Sequence, residues 1–127
     1  MAPNFIEFDG RQRRRTGGYY ITLNGKGEFL INRPLFDGME QPEAVLFYFD
    51  PDTDTIGMRK ADLRQPNSFA IRLNNPSGTR IIRARIFTTK WDIRLDGTFC
   101  FPDPQIENGM LLLPLNTRLN VSRPRRP

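Results

Sequence analysis

Residues 19–61 read YYITLNGKGEFLINRPLFDGMEQPEAVLFYFDPDTDTIGMRKA, and this stretch decides the fold. Tyr19, Ile21 and Leu23 alternate with Tyr20, Thr22 and Asn24, the period-two pattern of a strand with one buried face. Asn24-Gly25-Lys26-Gly27 supplies residues tolerant of positive φ, as a tight connection requires, and Glu28 to Ile31 is the return strand. Asn32 can cap a helix whose first turn holds Pro34, where a missing N–H costs nothing. That helix buries Leu35, Phe36 and Met39 before Gly38 and Pro42 limit it. EAVLFYF (43–49) is apolar without alternation and is predicted to be a strand buried on both faces. DPDTDT (50–55) turns the chain, and Ile56 to Arg59 returns.

Working outward, FAIRL (69–73) alternates and predicts a further strand ahead of the turn NPSG (75–78). Residues 80–93 fit two patterns. Ile82 with Ile86, and Phe87 with Trp91, have i,i+4 spacing, whereas Ile82, Ala84 and Ile86 also alternate; the expectation is a short amphipathic helix over 83–92. Farther on, TFCF (98–101) and MLLLPL (110–115) bracket a Pro- and Asn-Gly-containing loop, the pattern of an irregular hairpin. Pro114 places its strand at a sheet edge or ends the pairing.

The 127 residues suffice for one domain, and ten Phe can supply a modest core. Gly and Pro number 10 and 11, a density that punctuates short strands and argues against long helices. The expected class is therefore mainly β with one or two short helices. The expected organisation is a basic arm over 1–18, a single β-rich domain over 19–115 and a basic, Pro/Arg-rich tail over 116–127 that leaves the domain as coil. No apolar run approaches the ~20 residues of a membrane-spanning helix. The opening MAPNFIEFDG lacks the basic-then-apolar layout of a secretory signal. The single Cys100 cannot form an internal disulfide, which fits a cytoplasmic location.

Net charge is +5, and its distribution matters more than its size. The runs at 11–15 and 123–127 hold seven arginines and no acid; without them 12 basic residues face 14 acidic ones. Arg11, Arg13, Arg14 and Arg15 can track phosphates, because guanidinium is planar and bidentate. The plainer explanation of each run is a solubilising tail. Catalytic chemistry finds little support. The chain has no histidine, so neither an imidazole metal site nor the usual Ser or Cys triad can be built. Cys100 lies between Phe99 and Phe101 with no neighbouring cation and reads as a buried structural cysteine. Asp50, Asp52 and Asp54 begin like a calcium loop, but Thr55 and Ala61 stand where Gly and Glu belong, and a solvated turn is the better reading. Of Tyr19 and Tyr20, one is expected in the core and one at its rim. No cofactor or metal is expected.

The order of strand, glycine turn, strand, short helix and strand hairpin rests on Gly27, Phe29, Ile31, Leu35 and the hairpin 44–60. It resembles the swapped-hairpin domain of the AbrB, MazE, SpoVT and MraZ regulators over about a third of the chain. The resemblance implies an AbrB-like swapped-hairpin β-barrel completed by dimerisation, with 62–115 as an extension, and hence a homodimer or higher homo-oligomer. It also implies DNA contacts from basic residues near the first turn and helix. Glu28 stands where that family usually has arginine, which leaves Lys26 and Arg33 as the matching cations. Two functions follow as expectations. One is a DNA-associated transcriptional regulator that binds duplex phosphates through its arginine arms. The other is a non-enzymatic protein-interaction or assembly module using the same oligomeric fold without nucleic acid.

Overall fold

A computed structural model describes residues 18–122. The elements in chain order are β1 (Ile21–Leu23), β2 (Glu28–Ile31), α1 (Arg33–Gly38), β3 (Ala44–Asp50), β4 (Thr55–Ala61), β5 (Phe69–Leu73) and β6 (Arg80–Arg83). There follow α2 (Arg85–Lys90), β7 (Phe99–Cys100), β8 (Gln105–Glu107), β9 (Met110–Pro114), a 3₁₀ turn (Leu115–Thr117) and β10 (Leu119–Asn120). All pairings are antiparallel, in the order β10-β7-β1-β2-β6-β5-β3-β4-β9-β8. The mainly β class with two short helices is as read from the sequence. The sheet is curled into a half-barrel. Three strand spacings, about 14 Å in a flat sheet, separate β2 from β3. Yet the Phe29 and Phe47 ring centroids lie 5.1 Å apart across the concave side.

Local chemistry sets the early elements. The Asn24 side-chain oxygen accepts from the Lys26 and Glu28 amides at 2.9 and 3.1 Å, closing the β1–β2 turn. Gly27 has φ +77°, and a Cβ there would lie 2.7 Å from Arg85 Cα, so this position needs glycine twice over. The Asn32 side-chain oxygen Oδ1 caps α1 by accepting from Leu35 N at 3.1 Å. The same oxygen accepts from Tyr20 N, and the Asn32 amide donates to Gly18 O at 2.6 Å. One side chain thus fixes the start of α1 to the start of β1. Leu35, Phe36 and Met39 are buried, as the pattern required. Tyr19 packs against the core while Tyr20 is exposed.

The core joins both halves of the chain. Ile21, Leu23, Phe29, Ile31, Val45, Ile56 and Met58 from the first half pack with Ile82, Ala84, Phe87, Phe101, Leu111 and Leu113. The shell begun by residues 19–61 is therefore continued by the chain's own β5, β6 and β9, and β6 and β5 lie between its first hairpin and its second.

Four expectations are corrected. The 43–49 strand is fully buried only at Ala44 and Val45; Leu46, Phe47 and Phe49 are half-buried and Tyr48 is 43% exposed, because the outer face of the sheet has no second layer there. The 80–93 segment splits: Arg80–Arg83 joins the sheet and only Arg85–Lys90 is helical. Ile82 therefore points into the core while Ile86 is 79% exposed, and the two share no helix face. The C-terminal apolar runs do not pair with each other. Phe99–Cys100 pairs with β1 and β10, while Gln105–Glu107 turns back on Met110 through Asn108-Gly109, both at positive φ. Finally, the segment after residue 115 is not all coil, since Leu119–Asn120 adds a strand beside β7. Pro114 does end its strand's pairing, opposite Thr55.

Candidate functional site

Of the cations expected to contact nucleic acid, the two described ones, Lys26 and Arg33, are not brought together. Lys26 sits exposed in the β1–β2 turn and Arg33 opens α1, so β2 separates them. Arg33 lies 4.0 Å from Asp37, and its aliphatic stem lies against Gly78. Arg11, Arg13, Arg14, Arg15 and the tail arginines lie outside the described residues. Several body cations are paired or engaged: Lys60 with Glu40, Arg64 with Asp62, Arg83 with Glu28, and Arg59 donating to Asn108 O. Arg80 lies over the Phe36 ring at 4.2 Å and Arg118 over Phe99 at 4.6 Å. Between residues 18 and 122 there are twelve basic and twelve acidic residues, so this surface supplies no net positive charge.

The acidic turn and the thiol have structural roles. Asp50 accepts from the Asp52 amide at 2.9 Å, closing its own turn, and no group of potential metal ligands occurs among the described residues. Cys100 is buried beside Tyr20, and burial pushes its thiol above the usual range. The Tyr20 hydroxyl is also raised, first by the partial burial of an otherwise exposed side chain and then by the charge of Cys100. A thiol held neutral is a poor nucleophile.

A larger concavity lies elsewhere, where the sheet splits. β5 pairs with β3 only through Phe69 and Ala70, then pairs with β6 from Ile71 to Leu73. Ile71 N donates to Glu43 O at 3.0 Å, which sets the phase of the ladder. Alternate residues of an antiparallel strand direct their backbone groups to the same neighbour. Glu43, Val45, Phe47 and Phe49 therefore face the β5 side. Beyond Val45 the connector 62–68 has taken the chain away, and among the described residues no backbone partner reaches Phe47 or Phe49 on that side.

At this open edge lies a groove of about 480 Å³. Leu46 and Tyr48 form one side, Pro66, Asn67 and Phe69 a second, and α2 a third through Ile86 and Lys90. Its base is fixed by packed rings: Phe47 stacks on Phe87 at 4.8 Å and meets Phe69 edge-on at 5.0 Å, and Phe49 lies tilted 5.0 Å from Trp91. The i,i+4 pair Phe87 and Trp91 thus does share one face, turned to β3. Among the described residues Lys90 is the one charged residue lining the groove. Sequence reading missed this site. The available signal was EAVLFYF itself, because apolar residues on both faces of a strand also describe one face in a core and one left for a partner. No family model, curated protein or solved structure matches the chain.

Among the described residues no helix is long and apolar enough to cross a membrane.

Proposed function

We propose that the protein is a non-enzymatic interaction module that takes up an extended polypeptide segment by adding it as a strand along β3. The observation that carries this reading is the coincidence of the open β3 edge with the apolar groove. Strand addition gains affinity from main-chain hydrogen bonds and selectivity from pockets for alternate side chains. Phe47 and Phe49 offer two donors and two acceptors, and Leu46, Tyr48, Phe69 and Ile86 supply the apolar lining. The test is selection of short peptides from a displayed library on the full chain. Ile86→Asp should abolish their capture, because it puts a charge on the groove wall at a position 79% exposed and thus outside the core. Arg33→Ala, on α1, should leave capture unchanged. Peptides that still bind Ile86→Asp refute the reading.

A second reading, a duplex-binding regulator of AbrB-like type, is favoured by the seven arginines concentrated at 11–15 and 123–127. Phosphate neutralisation by those arms requires affinity that falls steeply with salt. Failure to bind duplex at low salt refutes it.

A further inference from the structure

The strand-addition reading leaves the incoming segment unnamed; resting on it, we infer that this segment is Asn4-Phe5-Ile6-Glu7-Phe8 of a second copy of the chain. The shape of the groove restricts the choice. The β3 edge is recessed between α2 and the 66–69 segment, so the recessed edge of a second copy cannot reach it. A free extended segment can.

The chain has two stretches beyond the described residues, 1–17 and 123–127. Arg123-Pro124-Arg125-Arg126-Pro127 is cationic like Lys90, and its prolines carry no N–H to give to the ladder. Residues 4–8 have neither fault. They contain no proline, three large apolar side chains and one carboxylate. In an extended segment Phe5 and Glu7 lie on one face, with Ile6 and Phe8 on the other. Glu7 is the charge complement of the groove's single cation, and Phe5 suits the Ile86 and Tyr48 surfaces beside it.

Reach decides which copy donates. Gly18 O is held by Asn32 at the α1 end of β1. Following the ladder from β1 through β2, β6 and β5, the level of Phe69 is seven residues along the strand direction from Gly18. That is about 23 Å along the strands and, over four strand spacings to β3, about 19 Å across them, or roughly 30 Å around the outer face of the curled sheet, the concave side being filled by the core. Nine residues, the number between Phe8 and Gly18, cover about 30 Å only at full extension. A protomer filling its own groove would need that linker almost fully drawn out, whereas a second copy meets no such constraint. Reciprocal exchange between two copies closes the assembly as a dimer.

The experiment compares the full chain with its full-length variant Ile6→Asp/Phe8→Asp by light scattering and by amide exchange read at Phe47 and Phe49. Expected is twice the 14.8 kDa chain mass for the parent, with both amides protected. The double variant should have the single mass, with both amides exchanging freely, and should bind a synthetic peptide of residues 2–9. A double variant that stays dimeric and protected overturns the inference. So does a monomeric parent; if its amides are protected, the segment docks on its own protomer, and the strand-addition reading survives. A double variant that binds library-selected peptides but not residues 2–9 overturns the assignment of the segment alone. One that binds neither removes the underlying reading as well.

Discussion

Gly27→Ala should destabilise the protein and open the groove at the same time, although residue 27 lines no part of it. The added Cβ would lie 2.7 Å from Arg85 Cα and 3.0 Å from Thr88 Oγ1. The first of these is backbone and cannot rotate away, so α2 must move. Alanine at φ +77° costs about 1–2 kcal/mol. Overpacking a close contact adds about 1–3 kcal/mol. If α2 withdraws, the hydrogen bond from Ala84 N to Gly27 O at 2.9 Å weakens too. The expected loss is about 3 kcal/mol or more, a large part of the ~5–15 kcal/mol that holds a small domain folded. In urea, with a slope of about 1–3 kcal/mol per molar, the midpoint should fall by roughly 1–3 M. Because α2 carries Phe87 and Trp91 against Phe47 and Phe49, emission from the single tryptophan should shift to the red before the unfolding transition. Gly25→Ala is the control: its Cβ would meet only Leu95 O, at 3.4 Å, and should cost under about 1 kcal/mol. Equal effects from the two substitutions would refute the role given to the α2–turn contact.

Asn32→Ala removes a helix cap and two further hydrogen bonds, and should cost about 1–3 kcal/mol by thermal or chemical denaturation. Asn32→Asp keeps the acceptor and should recover part of that loss. Alkaline pH should weaken the fold. Cys100 and Tyr20 are acids whose folded values are raised, so the unfolded chain releases its protons first; stability falls as pH rises through the unfolded values near 9 and 10, a trend readable from denaturation midpoints. Cys100→Ser should remove the lower part of that trend. On the duplex reading, replacing Arg11, Arg13, Arg14 and Arg15 with Gln should reduce the slope of log affinity against log salt by about 0.9 per lost contact, up to about 3.6. An unchanged slope would release those arginines from phosphate binding.

The first hairpin, the α1 cap and the third strand were legible because their signals are local. Asn24, Gly27, Asn32 and Pro34 act on neighbours within a few residues, and alternation names the buried face of β1 directly. The later half was harder to read, because its partners are distant. Ile82 and Ile86 look alike in sequence, but Ile82 pairs with Phe29 across the sheet, and the close approach of Arg85 to Gly27 turns the chain into α2 immediately afterwards. Phe99–Cys100 and Met110–Pro114 are each apolar enough to pair with the other. What separates them is the tight Asn108-Gly109 turn, which gives β9 a nearer partner in β8. The arginine runs were equally visible, yet visibility of charge carries no position, and the two body cations read with them stand at opposite ends of β2.

Three strand edges left open among the described residues are treated differently, and the difference bears on the groove. Unpaired edges invite association, and proteins blunt them with short strands, charges or proline. β10 has two residues and follows Arg118. β8 has three, Gln105-Ile106-Glu107, preceded by Pro104. Both terminal edges are thus short, and charge or proline stands at each. The inner edge at Phe47–Phe49 carries no charge or proline of its own: its residues are aromatic, Pro66 and Lys90 stand only on the flanking walls, and the helix beside it leaves a groove rather than a cover. Closing that gap would need only that β5 begin earlier, yet the connector turns away at Asn67, which holds φ +69°, a conformation a non-glycine residue adopts at a cost. Asn67→Gly relieves that cost and takes one polar side chain off the groove wall, so it should raise stability slightly while weakening peptide capture far less than Ile86→Asp does. If capture is lost as completely as with Ile86→Asp, the held conformation of the connector is itself part of the site.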